Sequence, residues 1–532
     1  MKMSRELMLF DANGRFGCPS TGVPVYPTIN DLLVQLNRLG VTRSVVWNVE
    51  SPTSNCPWSN RRLLDEIEKT PGAKNRLIPE LTISPTMIYE TGAIDELKKM
   101  MKTHGTRALR FTRGLTNFTL RQVEPIIEAV RSSKPVIFMH NGEADPVDVL
   151  AFAEKFPEVS LVLTEVSWGC AIYVYDLMRQ RKNILIETSW LHTWDAIEMT
   201  VEEFGAKRVI FGLGEKSHNG ASIAAIARAK ISDKDRELIT HGNLERLLGV
   251  KAVTSEICRP AVQNKYWARM LKGETMGEEL IDAHVHFGPG GGYVLREHTM
   301  QGQIQQGLQA MNDLGIKTMI VSSMQALMSD PVRGNLEMEE AFKPHGGKFK
   351  GYFAFNPFYE KELLAKVDEC FSRDIFVGFK ILCDYWHTPV TDPRFNSMWE
   401  YANKHRLPIL VHTWNGPYDS PALLTDIVKR YPEARFLLAH AGGGDSGRCE
   451  SEVIAHDNEN VYLEWCGTFC SSIPFEGTLA KVGANKVVFG TDGVCHSLVW
   501  ELGRLLSLDV PEEMIRPILG ENMRKILARR VR

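Results

Sequence analysis

Two histidines in alternate positions, His284 and His286, sit inside the run Leu280-Ile281-Asp282-Ala283-His284-Val285-His286-Phe287-Gly288. On a strand, side chains at i and i+2 face the same side, so both imidazoles can meet at one point. Imidazole nitrogen suits zinc and other first-row divalent ions. Alone, such a pair is common and unspecific. Further along, other apolar runs end on residues of complementary chemistry. Val377-Gly378-Phe379 leads to Lys380, Ile409-Leu410-Val411 to His412, Leu437-Leu438-Ala439 to His440, and Phe489-Gly490-Thr491 to Asp492. Four histidines and an aspartate at strand ends can converge on a single ion. Unrelated strand-capping residues explain one or two of them, not the set.

The elements that must position these residues are short β-branched runs alternating with helical stretches. In the second half the runs are Leu280–Val285, Thr318–Ser322, Lys350–Phe355, Phe376–Leu382, Pro408–His412, Phe436–His440, Asn460–Glu464 and Lys486–Gly490. Stretches such as Leu363–Arg373, Asn396–His405 and Pro421–Arg430 carry helical periodicity between them. Eight strands alternating with helices over about 250 residues predict a (β/α)8 TIM barrel, whose chemistry gathers at the C-terminal strand ends. An open doubly wound sheet is the alternative, but neither half has a Gly-rich phosphate turn.

The whole plan occurs twice, at a period of about 270 residues. Leu9–Gly17 parallels Leu280–Gly288, Gly205–Gly212 parallels Gly483–Gly490, and Phe156-Pro157-Glu158 parallels Tyr431-Pro432-Glu433. A tandem duplication follows, with domains at 1–250 and 279–532 and a helical connector at 251–278, anchored by Trp267 and Met270. The first copy keeps the frame and loses the ligands. Asn13 and Arg15 replace His284 and His286, Arg110 replaces Lys380, Glu165 replaces His440, and Gly214 replaces Asp492. Counting from the shared proline sets Met139 opposite His412, with His140 one step late. This half is expected to hold no metal, and Glu165 is expected to pair with Arg15 or Arg110.

The second half resembles the amidohydrolase superfamily in its amidohydrolase-related (amidohydrolase 2) branch, through Asp282-Ala283-His284-Val285-His286, Gly378-Phe379-Lys380, Leu407 to His412, Leu438 to Gly443, Val461 to Glu464 and Phe489 to Asp492. The resemblance implies a metal-dependent hydrolase of amides, esters or lactones. Non-oxidative decarboxylation of aromatic or dienoic acids is the alternative. It implies His284, His286, His412 and Asp492 as ligands of one divalent ion, zinc first and manganese or iron next. Asp492 then also moves protons, and His440 is the acid/base or water-positioning group. A bound Zn²⁺ lowers the pKa of its water to about 7, which supplies hydroxide at neutral pH. Some branches carboxylate a lysine at the place of Lys380; here Lys380 is expected to be structural or to face a substrate carboxylate. Trp386, His387, Trp414, Asn415, Arg448 and His496 follow the same strands and are candidates for substrate contact, suited to a planar or acidic small molecule. A non-enzymatic binding or regulatory protein on the same scaffold is the rival reading, and fold alone does not decide between them.

Composition limits the remaining classes. The 532-residue chain is 44% hydrophobic and 24% charged with a net charge of −3, which argues against a general nucleic-acid or membrane-surface binder. No apolar run reaches the roughly 18 residues of a membrane span, and Met1 to Phe10 carries no signal-peptide core. Ten cysteines without framework spacing fit a reducing cytoplasm, and Cys466 and Cys470 read as small buried side chains. The expected partner is a small molecule. The inactive half is expected to pack on the active one as a pseudo-dimer, leaving further homo-oligomerisation open.

Overall fold

Runs of Val, Ile, Leu and Phe buried on both faces form the strands, as expected of parallel sheets covered by helices. The computed structural model describes residues 7–20, 24–113, 118–251, 258, 260–262 and 264–531. The chain divides into two units, Met1–Gln263 with Gly292–Val294, and Asn264–Gly291 with Leu295–Arg532.

In the first unit β1 (Phe10–Phe16), β2 (Arg43–Asn48) and β3 (Leu77–Pro79) make one parallel sheet. A second, in sequence order, comprises β4 (Leu81–Ile83), β5 (Ala108–Phe111), β6 (Val136–His140), β7 (Ser160–Thr164), β8 (Ile184–Glu187) and β9 (Val209–Ile210). The expected second complete barrel is not shown here, where the pairing gives parallel sheets of three and six strands. The break falls at Glu80, between β3 and β4. Glu80 still gives its N–H to the Val46 carbonyl at 2.8 Å, and Ala12 gives its N–H to Phe211 O at 3.0 Å. Both sheets still bury one core, with Phe10, Ala12 and Val45 packed against Ala108, Phe138, Val162, Leu185 and Ile210.

The second unit forms the expected barrel. Its strands are β10 (Leu280–Phe287), β11 (Ile316–Ser323), β12 (Phe349–Ala354), β13 (Phe376–Ile381), β14 (Pro408–His412), β15 (Arg435–Ala439), β16 (Val461–Glu464) and β17 (Val487–Val488). All eight pair in sequence order and in parallel. The sheet nearly closes through a bridge between Val285 and Gly493 and bonds from Ala283 N–H to Phe489 O (2.9 Å) and Asp492 N–H to His284 O (2.7 Å). Ile281, Ala283, Ile320, Tyr352, Val377, Leu410, Leu437 and Val488 fill the interior. Met523 and Ile526 from the terminal helix Asn522–Ala528 join that core.

The covering helices follow ordinary capping rules. Met300–Leu314 starts where the Thr299 side chain accepts from Gly302 N–H and stops at Gly315, whose φ of 81° suits glycine. Its buried Ile304, Gly307, Met311 and Leu314 recur at three- and four-residue steps along one face. In the connector, Lys265–Lys272 is helical, capped by Asn264, with Trp267 and Met270 buried as expected. Positions 252–257, 259 and 263 of the connector, and 1–6 of the expected leaderless start, lie outside the described residues. Among the described residues no helix is long and apolar enough to cross a membrane.

Candidate metal centre

Strand β10 ends at the barrel mouth, so His284 and His286 arrive on one face, and the turn after β17 brings Asp492 beside them. The three donor atoms are close-set. His284 Nε2 and His286 Nε2 are 3.1 Å apart, His286 Nε2 and Asp492 Oδ1 3.1 Å, and His284 Nε2 and Asp492 Oδ1 3.5 Å. Ligands placed about 2.0–2.1 Å from a tetrahedral ion stand about 3.3–3.4 Å from one another. The three atoms thus match one face of such a tetrahedron, and the donor set fits a divalent cation.

Protonation states agree with that use. Burial, followed by Lys380, holds His284 well below its ordinary range, and burial brings His440 down to about 4, so both rings are neutral donors at pH 7. Burial would raise Asp492, but His284 and His286 outweigh it and keep this carboxylate ionised. Lys380 is wholly buried with its Nζ 3.0 Å from His284 Nε2, and burial lowers it to about 8.

His412 lies one ring further out. Its Nδ1 is 3.1 Å from His440 Nε2, and its Nε2 is 3.7 Å from the buried Asp419 carboxylate. Trp414 stacks on it at 6.3 Å with 7° between planes and stands 5.6 Å from His440, while Tyr385 meets it edge-on at 5.4 Å. The mouth therefore has an aromatic wall beside the donor atoms.

The other predicted contact residues have different surroundings. Arg448 is fully buried, giving its guanidinium to the Ala441 and Thr468 carbonyls and to Thr478 Oγ1. The Asn415 side chain accepts from Gly447 N–H, and Trp386 donates to Leu327 O. His387 lies 5.6 Å from Tyr418, and His496 sits 3.4 Å from Glu501 and 5.3 Å from Phe469. Trp414 packs against both His412 and His440.

Several residues at the centre escape sequence reasoning. Glu464 at the end of β16 places Oε2 2.9 Å from His284 Nδ1, and Cys466 Sγ lies 3.2 Å from the same nitrogen. Cys466 is buried, as expected, whereas Cys470 is exposed. Asp282 accepts from His284 N–H and Thr491 N–H, both at 3.1 Å, and from Thr491 Oγ1 at 2.7 Å, tying β10 to the turn that carries Asp492. A carboxylate two residues before the first histidine and another closing an apolar run were the available signals.

In the first unit the same frame holds another chemistry. Arg15 Nη2 donates to Glu165 at 2.5 Å and Nη1 to Glu215 at 3.1 Å. Burial would raise Glu165, but Arg15, followed by His140, brings it down to about 2. The expected pairing is present for Arg15, whereas Arg110 lies 3.7 Å from Glu80 and over the Trp47 ring. Strand register revises the count from the prolines. His140 pairs with Thr164 just as His412 pairs with Ala439, so His140, not Met139, occupies the place of His412. Among the described residues, both close-set groups of metal-capable donors lie in the second unit: His284, His286 and Asp492, and His284, His440, Glu464 and Cys466.

Comparison with known proteins follows the same division. A family model described as Amidohydro_2, amidohydrolase, matches residues 59–250 and 281–529. Among solved structures, an uncharacterised TIM-barrel protein from Bordetella bronchiseptica is 18% identical, with 47% of this chain and 99% of that one covered, at a TM-score of 0.38. A 2,6-dihydroxybenzoate decarboxylase from Rhizobium is 16% identical over 47% and 99%, at 0.37. A 5-carboxyvanillate decarboxylase from Novosphingobium aromaticivorans, complexed with manganese, is 13% identical over 47% and 96%, at 0.38. The search of curated proteins gives no match.

Proposed function

Because the chain belongs to the amidohydrolase family, we propose that its second unit is a metal-dependent enzyme that removes a carboxylate, as CO2, from a small planar unsaturated acid. The observation that carries this reading is the aromatic wall of Trp414 and Tyr385 beside the converging His284, His286 and Asp492. A flat conjugated ring can stack there. Such a ring can also accommodate the electron pair released when its carboxylate departs. We rank this above the hydrolysis of amides, esters or lactones that the sequence first suggests, since hydrolysis has no need of a flat conjugated substrate.

His284, His286 and Asp492, joined by His412, would hold one divalent ion, with zinc, manganese and iron all compatible with the donor set. When bound, the ion supplies Lewis-acid charge for the substrate's oxygens. Asp492, ionised and 22% exposed at the mouth, can accept a proton from a substrate hydroxyl and return it to the ring carbon. At that carbon a C–H bond forms, the bond to the carboxylate breaks, and its electron pair returns to the ring. One carboxylate and one proton thus become C–H and CO2. His440, hydrogen-bonded to His412, is the second proton carrier. Lys380, brought to about 8 by burial, can give up its charge when a dication is present.

The test is to incubate the chain, loaded in turn with zinc, manganese or iron(II), with a panel of hydroxybenzoic acids and simple esters and lactones. Metal-dependent CO2 release from an aromatic acid is the expected result. Hydrolysis of the esters or lactones without CO2 release would replace this reading.

A further inference from the structure

The glutamate that ends β16 belongs to none of the roles above, yet it is wholly buried at the back of the seat. We propose that Glu464 is the positioning residue of the centre, fixing the His284 ring as a ligand and holding the backbone that carries His440. The proposal rests on the reading that His284 binds an ion.

The chemistry starts with the imidazole. A neutral histidine has one N–H, and whichever nitrogen keeps it cannot ligate a cation. Glu464 Oε2 lies 2.9 Å from His284 Nδ1, so an N–H there is held by the carboxylate. The lone pair is then on Nε2, the atom that faces His286 and Asp492. Such carboxylate partners fix ring orientation and raise ligand basicity. Space for the contact is kept by Gly490, where a Cβ would stand 2.3 Å from Glu464 Oε1 and 2.7 Å from His284 Cβ.

The same carboxylate has a second duty. Oε2 accepts from His440 N–H at 3.2 Å and Oε1 from Cys466 N–H at 2.8 Å. His440 sits at a φ of 62°, a region that L side chains rarely adopt, and must be held there by its surroundings. One side chain therefore sets both a metal ligand and the neighbouring acid/base.

The first unit separates the two duties. Glu187 accepts from Glu165 N–H at 2.7 Å and Ser189 N–H at 2.6 Å, and Glu165 has a φ of 61°. The backbone function is thus retained where Asn13 and Arg15 stand in place of His284 and His286. In place of the His284 ring, the Asn13 amide stands 3.5 Å from Glu187 Oε1. Orienting a ligand is added only in the second unit.

The experiment compares Glu464→Gln with Glu187→Gln in the full chain. Zinc and manganese affinity is read by competition with a chelator, beside thermal unfolding and kcat at saturating metal. Both variants should unfold at lower temperature, but Glu464→Gln alone should bind metal about 10- to 100-fold more weakly. Should Glu464→Gln not fold, Glu464→Asp keeps the carboxyl group and withdraws it from His284, and the same competition reads it with the same expectation. A folded Glu464 variant that binds metal as tightly as wild type would overturn the proposal. A wild-type chain that binds neither metal would remove the metal reading, and this inference with it.

Discussion

The Arg15 guanidinium donates to Glu165 across 2.5 Å, at the two strand-end positions where the second unit places His286 and His440. The duplicated frame therefore holds either a guanidinium–carboxylate pair or a cluster of imidazoles at the same place. Even the strained backbone is shared, since Glu165 and His440 have φ of 61° and 62°, and Gly214 keeps the left-handed conformation of Asp492. Positive charge is supplied by arginine in the first unit and, on our reading, by a metal ion in the second.

Acid should reveal the first arrangement. With Glu165 held at about 2 against an ordinary 4.5, its stabilising contribution is present above pH 4.5 and is lost as pH falls toward 2. Glu165→Gln should therefore cost on the order of 3 kcal/mol at pH 7, the gap to wild type narrowing below pH 4.5. Thermal unfolding across that range checks it. A gap that stays constant with pH would assign the loss to packing instead.

Asp492 is the expected proton carrier as well as a ligand. Asp492→Asn keeps one oxygen for the metal but cannot accept a proton. Metal should be retained at least in part, with kcat lowered by about 10²–10⁴, the usual scale of general acid–base catalysis. Retained metal with near-normal kcat would take the proton-carrying role away from Asp492.

Trp414 tests the aromatic wall. Trp414→Leu removes the ring stacked on His412 but leaves an apolar surface. Loss of an aromatic pair is worth about 0.5–1.5 kcal/mol beyond area, so KM for a planar acid should rise up to about tenfold. Steady-state kinetics with a planar and a non-planar acid would separate this from a general loss. An equal change for both substrates would contradict the stacking role.

Much of this was legible before the structure. The second-unit strands follow directly from β-branched runs, and Asn396–His405 is helical over the span that its periodicity predicts. His284, His286 and Asp492 were found because strand geometry converts alternation and strand-end position into proximity. Other features depend on tertiary context. The segment 77–83 divides its pairing between two sheets at Glu80, which apolar pattern alone does not show. The Pro135 and Pro408 positions differ by one step in strand register, so counting from them misplaced His140. Arg448 bonds the Ala441 and Thr468 carbonyls and Asn415 accepts from Gly447 N–H, partners that residue type does not reveal. Glu464 was overlooked because an acid at a strand end is ordinary until its histidine is seen beside it.

Metal content per purified chain decides the role of the second unit as a metal centre. The wild type should hold one divalent ion, and His286→Ala almost none, with no turnover. Arg15→Ala should leave the single ion in place. Zero ions in the wild type, two ions, or a His286→Ala chain that keeps its metal and activity would contradict it.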